Sequence, residues 1–264
     1  MAKSVPEFVS MKGKDKISMI TAYDYTSARI ADEAGVDAIL VGDSLGMVMQ
    51  GNSSTLPVTL DEIIYHAKMV RNGVKNALVV VDMPFMSYQA DYVEAVKNAG
   101  RIMKETGCDA VKLEGGVEFT ITINNIVTAG IPVMGHLGLT PQSINIFGSY
   151  KARGRDEKEA KKIIENAKYI QEAGVFSIVL ESVTKSLAKK VTETVEVPTI
   201  GIGAGVDVDG QVLVYHDMLG LFDDFKPKFV KRYAHLKKEA VEAVKTYTQE
   251  VKEKKFPTDE HSYE

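Results

Sequence analysis

The 264-residue sequence has a single cysteine, Cys108, so no internal disulfide framework can hold the chain together. Zinc-type motifs are missing as well, with neither an HxxxH spacing nor paired cysteines. No run of residues approaches the roughly 18 consecutive apolar residues of a membrane span. The opening Met1-Ala2-Lys3-Ser4-Val5-Pro6 lacks the apolar core of a secretory signal. Charge of one sign is not in excess: the net charge is −4, and the C-terminal lysines are interspersed with glutamates, which gives no reason to expect nucleic-acid binding. The glycine-rich Gly201-Ile202-Gly203-Ala204-Gly205 lacks the GxGxxG spacing and no Walker lysine follows it, so it is a weak nucleotide signature. With 45% apolar and 26% charged residues, the expectation is a soluble globular protein of a reducing cytoplasm.

What the chain does have is alternation. Short apolar runs fit strands at Ile17–Ala22, Ala38–Val41, Ala77–Val81, Ala110–Leu113, Pro132–Met134, Ser177–Leu180, Thr199–Ile202 and Val212–Val214, with amphipathic segments between them. Thr59 with Glu62, Asp91 with Glu94 and Asp156 with Glu159 have capping-box spacing, and Gly35, Gly107, Gly130 and Gly174 stand where helices should stop. An open doubly wound sheet shares this alternation. Eight strands in about 200 residues, with acids at the ends of four different ones, favour closure into a (β/α)8 TIM barrel. The expected organisation is a single barrel domain over 1–264, with a short N-terminal extension and a C-terminal helix and tail. Helical spacing in that last part runs from Pro227 to Lys252. Two connections exceed simple turns, Gly42 to Pro57 and Gly135 to Arg155, and both carry apolar residues suited to walls or lids.

Four of the strands deliver an acid: Asp43 after the second, Asp82 after the third, Glu114 after the fourth and Glu181 after the sixth. In a parallel barrel the carboxyl ends of all strands share one face, so these acids converge. Asp43, Asp82 and Glu114 offer hard oxygen ligands of the kind Mg²⁺ uses, with positions left for water or substrate. Each taken singly also reads as a helix cap or a salt bridge. Glu181 follows an apolar run whose desolvation raises a carboxyl pKa toward that of a general base; a structural ion pair is the alternative. Lys112 lies two residues before Glu114 and projects to the same face, to pair either with an anionic substrate or with Glu114. His136, expected just after the fifth strand, either donates to a substrate oxygen or is a packed, hydrogen-bonded histidine.

Several longer strings carry a resemblance. Thr21-Ala22-Tyr23-Asp24-Tyr25, Val41-Gly42-Asp43-Ser44-Leu45-Gly46, Ser54-Thr55-Leu56-Pro57-Val58, Asp82-Met83-Pro84-Phe85, Lys112-Leu113-Glu114-Gly115-Gly116 and Gly135-His136-Leu137-Gly138-Leu139-Thr140-Pro141-Gln142 occur in this order, followed by the glycine-rich Gly201–Gly205. Together they closely resemble the ketopantoate hydroxymethyltransferase family. Ser149, where members often have a second glycine, is the one departure noted. The resemblance implies a barrel of the phosphoenolpyruvate/pyruvate type. It further implies hydroxymethyl transfer from 5,10-methylenetetrahydrofolate to 3-methyl-2-oxobutanoate, giving 2-dehydropantoate on the route to pantothenate and coenzyme A, and a homodecameric assembly. Carried over by position, Asp43, Asp82 and Glu114 match magnesium positions, directly or through water. Asp43, Ser44, Asp82 and Lys112 match contacts to the oxo acid, and Glu181 matches the proton acceptor. The rival readings are another Mg²⁺-dependent lyase or mutase of the same barrel class, and a barrel that binds a metabolite without transforming it.

Overall fold

The computed structural model describes residues 3–224 and 226–264. It divides into two compact units, 1–215 and 216–264.

The first unit is a closed barrel of eight parallel strands in sequential order: β1 (Ile17–Thr21), β2 (Ala38–Val41), β3 (Leu78–Asp82), β4 (Ala110–Glu114), β5 (Val133–Gly138), β6 (Ser177–Glu181), β7 (Thr199–Ile202) and β8 (Gly210–Leu213). Helices α1 (Val5–Ser10), α2 (Tyr25–Glu33), α3 (Leu45–Val48), α4 (Leu60–Gly73), α5 (Tyr92–Thr106), α6 (Thr120–Thr128), α7 (Ile144–Phe147), α8 (Glu157–Glu172) and α9 (Lys185–Thr194) punctuate it, and α10 (Tyr215–Leu219) follows β8. The start signals work as their chemistry predicts, with variations. Thr59 and Glu62 form a reciprocal capping box. Asp91 caps through the Val93 N–H. Asp156 accepts from Glu159 N–H, while the Glu159 carboxylate turns back to Gly154 N–H.

Two strands differ from their expected bounds by more than one residue at an end. β8 begins two residues early, at Gly210, because Ile17 of β1 pairs with it. β5 runs four residues past Met134, through Gly138. The glycines at 135 and 138 read as a turn, yet β5 is hydrogen-bonded on both sides along this stretch, with His136 opposite Glu114 of β4 and Val179 of β6. His136 is therefore inside a central strand, not after it.

The lower barrel interior is apolar. Ile17 and Met19, Ala38 and Leu40, and Leu78 and Val80 contribute alternate residues of the first three strands to one buried cluster. Helix α1 closes the amino end. Its Phe8 is fully buried in that cluster and meets the edge of Phe176, just ahead of β6, at 5.7 Å between ring centroids.

In the second unit, helix α11 spans Leu236–Lys252 and none of its residues is buried. It starts later than the Pro227 expected from apolar spacing. The Tyr233 and Lys237 amides bond to Met218 and Gly220 carbonyls instead of to residues one turn back, which holds the preceding stretch out of the helix. Asp217 has its pKa pushed up to about 6 by burial, with Arg232 acting in the opposite sense.

Candidate active site

Strand parity builds the site. On β3, Leu78 and Val80 point inward, so Asp82 does too; on β4, Ala110 is followed inward by Lys112 and Glu114; on β5, Met134 by His136; on β6, Val179 by Glu181. The same alternation that fills the lower barrel with apolar side chains lines its upper end with charge. Lys112, Glu114, His136, Asp82 and Asp43 are all buried, whereas the Glu181 side chain keeps 18% of its surface exposed.

The contacts run from strand to strand. Lys112 Nζ lies 2.5 Å from Asp82 Oδ1, so its ion-pair partner is Asp82 and not Glu114. Asp82 Oδ2 accepts from the Asp43 N–H at 3.0 Å, which ties the β2–α3 turn to β3. A Cβ on Gly42 would come within 2.9 Å of Ser44 Oγ and 3.4 Å of Asp82 Oδ2, so a side chain there would displace the Ser44 hydroxyl. Ser44 Oγ sits 2.8 Å from the hydroxyl of the fully buried Tyr23. The imidazole of His136 stands between two carboxylates, with Nδ1 3.2 Å from Glu114 and Nε2 3.3 Å from Glu181. Glu181 is thus one ring away from Glu114.

The electrostatics follow from burial among like charges. Burial and the neighbouring Asp82 and Glu114 carboxylates push Asp43 well above the usual carboxyl range. Burial alone would lower Lys112, but Asp82, Glu114 and Asp43 outweigh it and hold the ammonium charged. His136 is pulled down by burial and by Lys112, and up by Glu114 and Glu181; the balance raises it to about 9. Four carboxylates, Asp43, Asp82, Glu114 and Glu181, thus face two cationic side chains, Lys112 and His136. Among the described residues, no three His, Cys, Asp or Glu side chains close on one point as a complete metal cage.

The long connection after β5 is pinned around Glu181. The Leu139 N–H donates to Glu181 O at 2.9 Å, and the Arg153 N–H donates to Ser182 O at 2.7 Å. Ser182 takes a left-handed φ of +47°, a strained conformation for a residue with a side chain. Gly138, at φ +99°, could not carry a Cβ, which would lie 2.3 Å from Glu181 O. Tyr150, on the same connection, has its pKa raised by burial and by the Glu181 carboxylate.

All seven residues singled out in the sequence, Asp43, Ser44, Asp82, Lys112, Glu114, His136 and Glu181, fall in this one assembly. Three others were missed. Tyr23 and Gln142 lie within the strings that carried the resemblance but bear no charge, and Tyr88 left no sequence signal. Tyr88 is buried, with its pKa raised well above the ordinary value by burial and by Glu114.

The family model for ketopantoate hydroxymethyltransferase matches residues 2–259. The chain belongs to the ketopantoate hydroxymethyltransferase family. It is 57% identical to a 3-methyl-2-oxobutanoate hydroxymethyltransferase from Clostridium botulinum, over 100% of this chain and 96% of that one. It is 58% identical to a protein of the same name from Carboxydothermus hydrogenoformans, over 94% and 90%. Among solved structures, phosphonopyruvate hydrolase superposes with a TM-score of 0.66 at 13% identity, covering 100% of this chain and 92% of that chain. 2,3-Dimethylmalate lyase, a PEP mutase/isocitrate lyase superfamily member, gives 0.63 at 15% identity, covering 99% and 92%. At such identities these two establish the shared barrel alone. This ketopantoate hydroxymethyltransferase-family chain also has, among its described residues, no helix long and apolar enough to cross a membrane.

Proposed function

We propose that the protein transfers a hydroxymethyl group from 5,10-methylenetetrahydrofolate to 3-methyl-2-oxobutanoate, forming 2-dehydropantoate in pantothenate biosynthesis. The observation that carries this reading is the continuous Glu114–His136–Glu181 array beside the buried Asp82–Lys112 pair, in a chain whose whole length matches the family. Net transfer joins the C3 carbon of the oxo acid to the folate methylene carbon, with water supplying the hydroxyl and tetrahydrofolate leaving.

Lys112 and Ser44 are placed to hold the oxo-acid carboxylate, the first by charge and the second by its hydroxyl. Glu181 is the base that takes the C3 proton: it is the most exposed of the four acids, which suits a group that must meet substrate. His136 faces Glu181, its Nε2 3.3 Å from a carboxylate oxygen. Asp43, Asp82 and Glu114, directly or through water, would hold Mg²⁺. The excess of carboxylates over cations fits a divalent ion, and Mg²⁺ ordinarily takes only one or two carboxylates and completes its shell with water and substrate oxygens. When bound, the ion supplies Lewis-acid stabilisation of charge developing on the C2 oxygen. The same reading places the enzyme in the cytoplasm as a homo-oligomer, a decamer as the family resemblance implies, which sedimentation equilibrium would measure.

Proton NMR of C3 deuterium exchange in 3-methyl-2-oxobutanoate, with Mg²⁺ and with EDTA, tests the proposal. Metal-dependent exchange, followed by 2-dehydropantoate when the folate is added, is the expected result. Absence of exchange by folded, Mg²⁺-supplied protein would overturn the substrate and the base together.

A further inference from the structure

Gln142 lies in the short turn Pro141–Ser143, outside the strands that carry the acids, yet it is only 5% exposed and touches two of them. Its backbone N–H donates to Glu114 Oε2 at 3.0 Å. Its side-chain amide donates one hydrogen to Asp43 Oδ2 at 2.9 Å and the other to the Met83 carbonyl at 3.0 Å. Its Oε1 accepts from Gln89 Nε2 at 2.9 Å and has the Tyr88 hydroxyl 2.9 Å away. That hydroxyl in turn accepts from the Glu114 N–H at 3.1 Å. The backbone N–H and both ends of the side-chain amide are engaged, and the amide cannot be turned over: Gln89 presents an N–H₂ to one end, and a carboxylate and a carbonyl require donors at the other.

Asp43 follows β2 and Glu114 ends β4, so no ladder pairs them; β3 lies between. Left alone, two buried carboxylates would repel one another. We infer that Gln142 is a positioning residue that clamps Asp43 and Glu114 from the loop after β5, so that the site offered to a divalent cation is set jointly by that loop and the strands. The inference rests on the proposed role of those acids as ligands. Glutamine suits the task for a simple reason. It gives neutral donors to both carboxylates without cancelling the negative charge that attracts the ion, which a lysine or arginine there would do. Tyr88 is the brace behind it, fixing the amide's direction and the Glu114 backbone together. Outer partners of metal ligands commonly matter about 10–100-fold in metal affinity.

The test is a titration of Mn²⁺, followed by the EPR signal of the free ion, into wild-type protein, Gln142→Leu and Tyr88→Phe. Each is checked for wild-type circular dichroism and thermal midpoint. Gln142→Leu should weaken Mn²⁺ binding by about 10–100-fold, and Tyr88→Phe, which keeps the ring and loses only the brace, by a smaller factor of about 3–10. The Mg²⁺ concentration for half-maximal turnover should rise in step, while turnover at saturating Mg²⁺ falls much less. A packing role alone would move the thermal midpoint and leave this split untouched. Wild-type Mn²⁺ affinity in folded Gln142→Leu overturns the inference, and if that variant does not fold, unchanged affinity in Tyr88→Phe does so. Failure of the wild-type protein itself to bind Mn²⁺ would instead remove the metal reading on which the inference stands.

Discussion

The two rims of the barrel both carry buried or half-buried acids, and they treat them in opposite ways. At the amino rim, Asp37, Asp109 and Asp209 each stand just ahead of a strand and accept the backbone N–H near the start of the preceding one: Ser18 at 2.8 Å, Val79 at 2.8 Å and Thr199 at 2.9 Å. Each also has a cation, Lys3, Arg71 and Lys12 respectively. Against the opposing effect of burial, hydrogen bonds and the neighbouring lysines hold Asp37 and Asp209 below the usual carboxyl range. Asp32, at the end of α2, behaves alike and takes the N–H groups of Lys75, Asn76 and Ala77. At the carboxyl rim the donors are fewer than the acceptors, and Asp43 is forced the other way by burial and by Asp82 and Glu114. An acid whose lone pairs are filled by the chain stabilises the fold. An acid facing other acids is held there at a cost that a ligand can relieve.

The widest separation of the rims should come from Glu181→Gln. Turnover should fall by about 10²–10⁴, roughly 3–5 kcal/mol of barrier, in initial-rate assays, with Mn²⁺ binding retained. Normal C3 exchange in this variant would remove Glu181 from the base's role. Asp32→Ala should cost about 3 kcal/mol of stability by stranding backbone donors, with catalysis per folded molecule unaltered, as read by urea unfolding beside kcat. The pH dependence fixes the sign. Asp32 is lowered from 3.8 in the folded state, so its contribution is full above that value and is lost as pH falls toward the lowered one. Wild type and variant should converge in acid; a gap that persisted there would mean the loss is not that of the carboxylate.

Asp43→Asn should do the reverse, raising metal-free stability by about 1 kcal/mol while abolishing tight Mn²⁺ binding. Because Asp43 is raised when folded, its penalty grows as pH rises through the folded value, and the advantage of the variant should grow with it. A lower melting temperature for metal-free Asp43→Asn at neutral pH would break the contrast between the rims. The smallest effect belongs to Asp61→Ala, which breaks an exposed pair with Arg101 and should leave the urea unfolding midpoint essentially where it is. A larger shift would show that exposure, too, needs a place in the comparison.

The barrel was legible because each strand is a short apolar run closed by a capping or stop signal, and because acids recurred after several of them. The upper half of β5 was not. Gly135 and Gly138 look like a turn, and only the neighbouring strands, invisible in a linear reading, keep them extended. Lys112 and Glu114 could be assigned one face by their spacing, but which acid Lys112 meets depends on the β3–β4 register, which places Asp82 opposite it. The amino-rim acids were in view as the repeated Gly35-Val36-Asp37-Ala38 and Gly107-Cys108-Asp109-Ala110, yet their role needs the preceding strand in place. Gln142 and Tyr88 act through neutral groups brought together by a long loop, and neither charge nor periodicity marks such residues.

The Phe8 plug makes the barrel a vessel with one mouth. With the amino end sealed, substrates, products, water and protons share a single approach to Lys112 and Glu181.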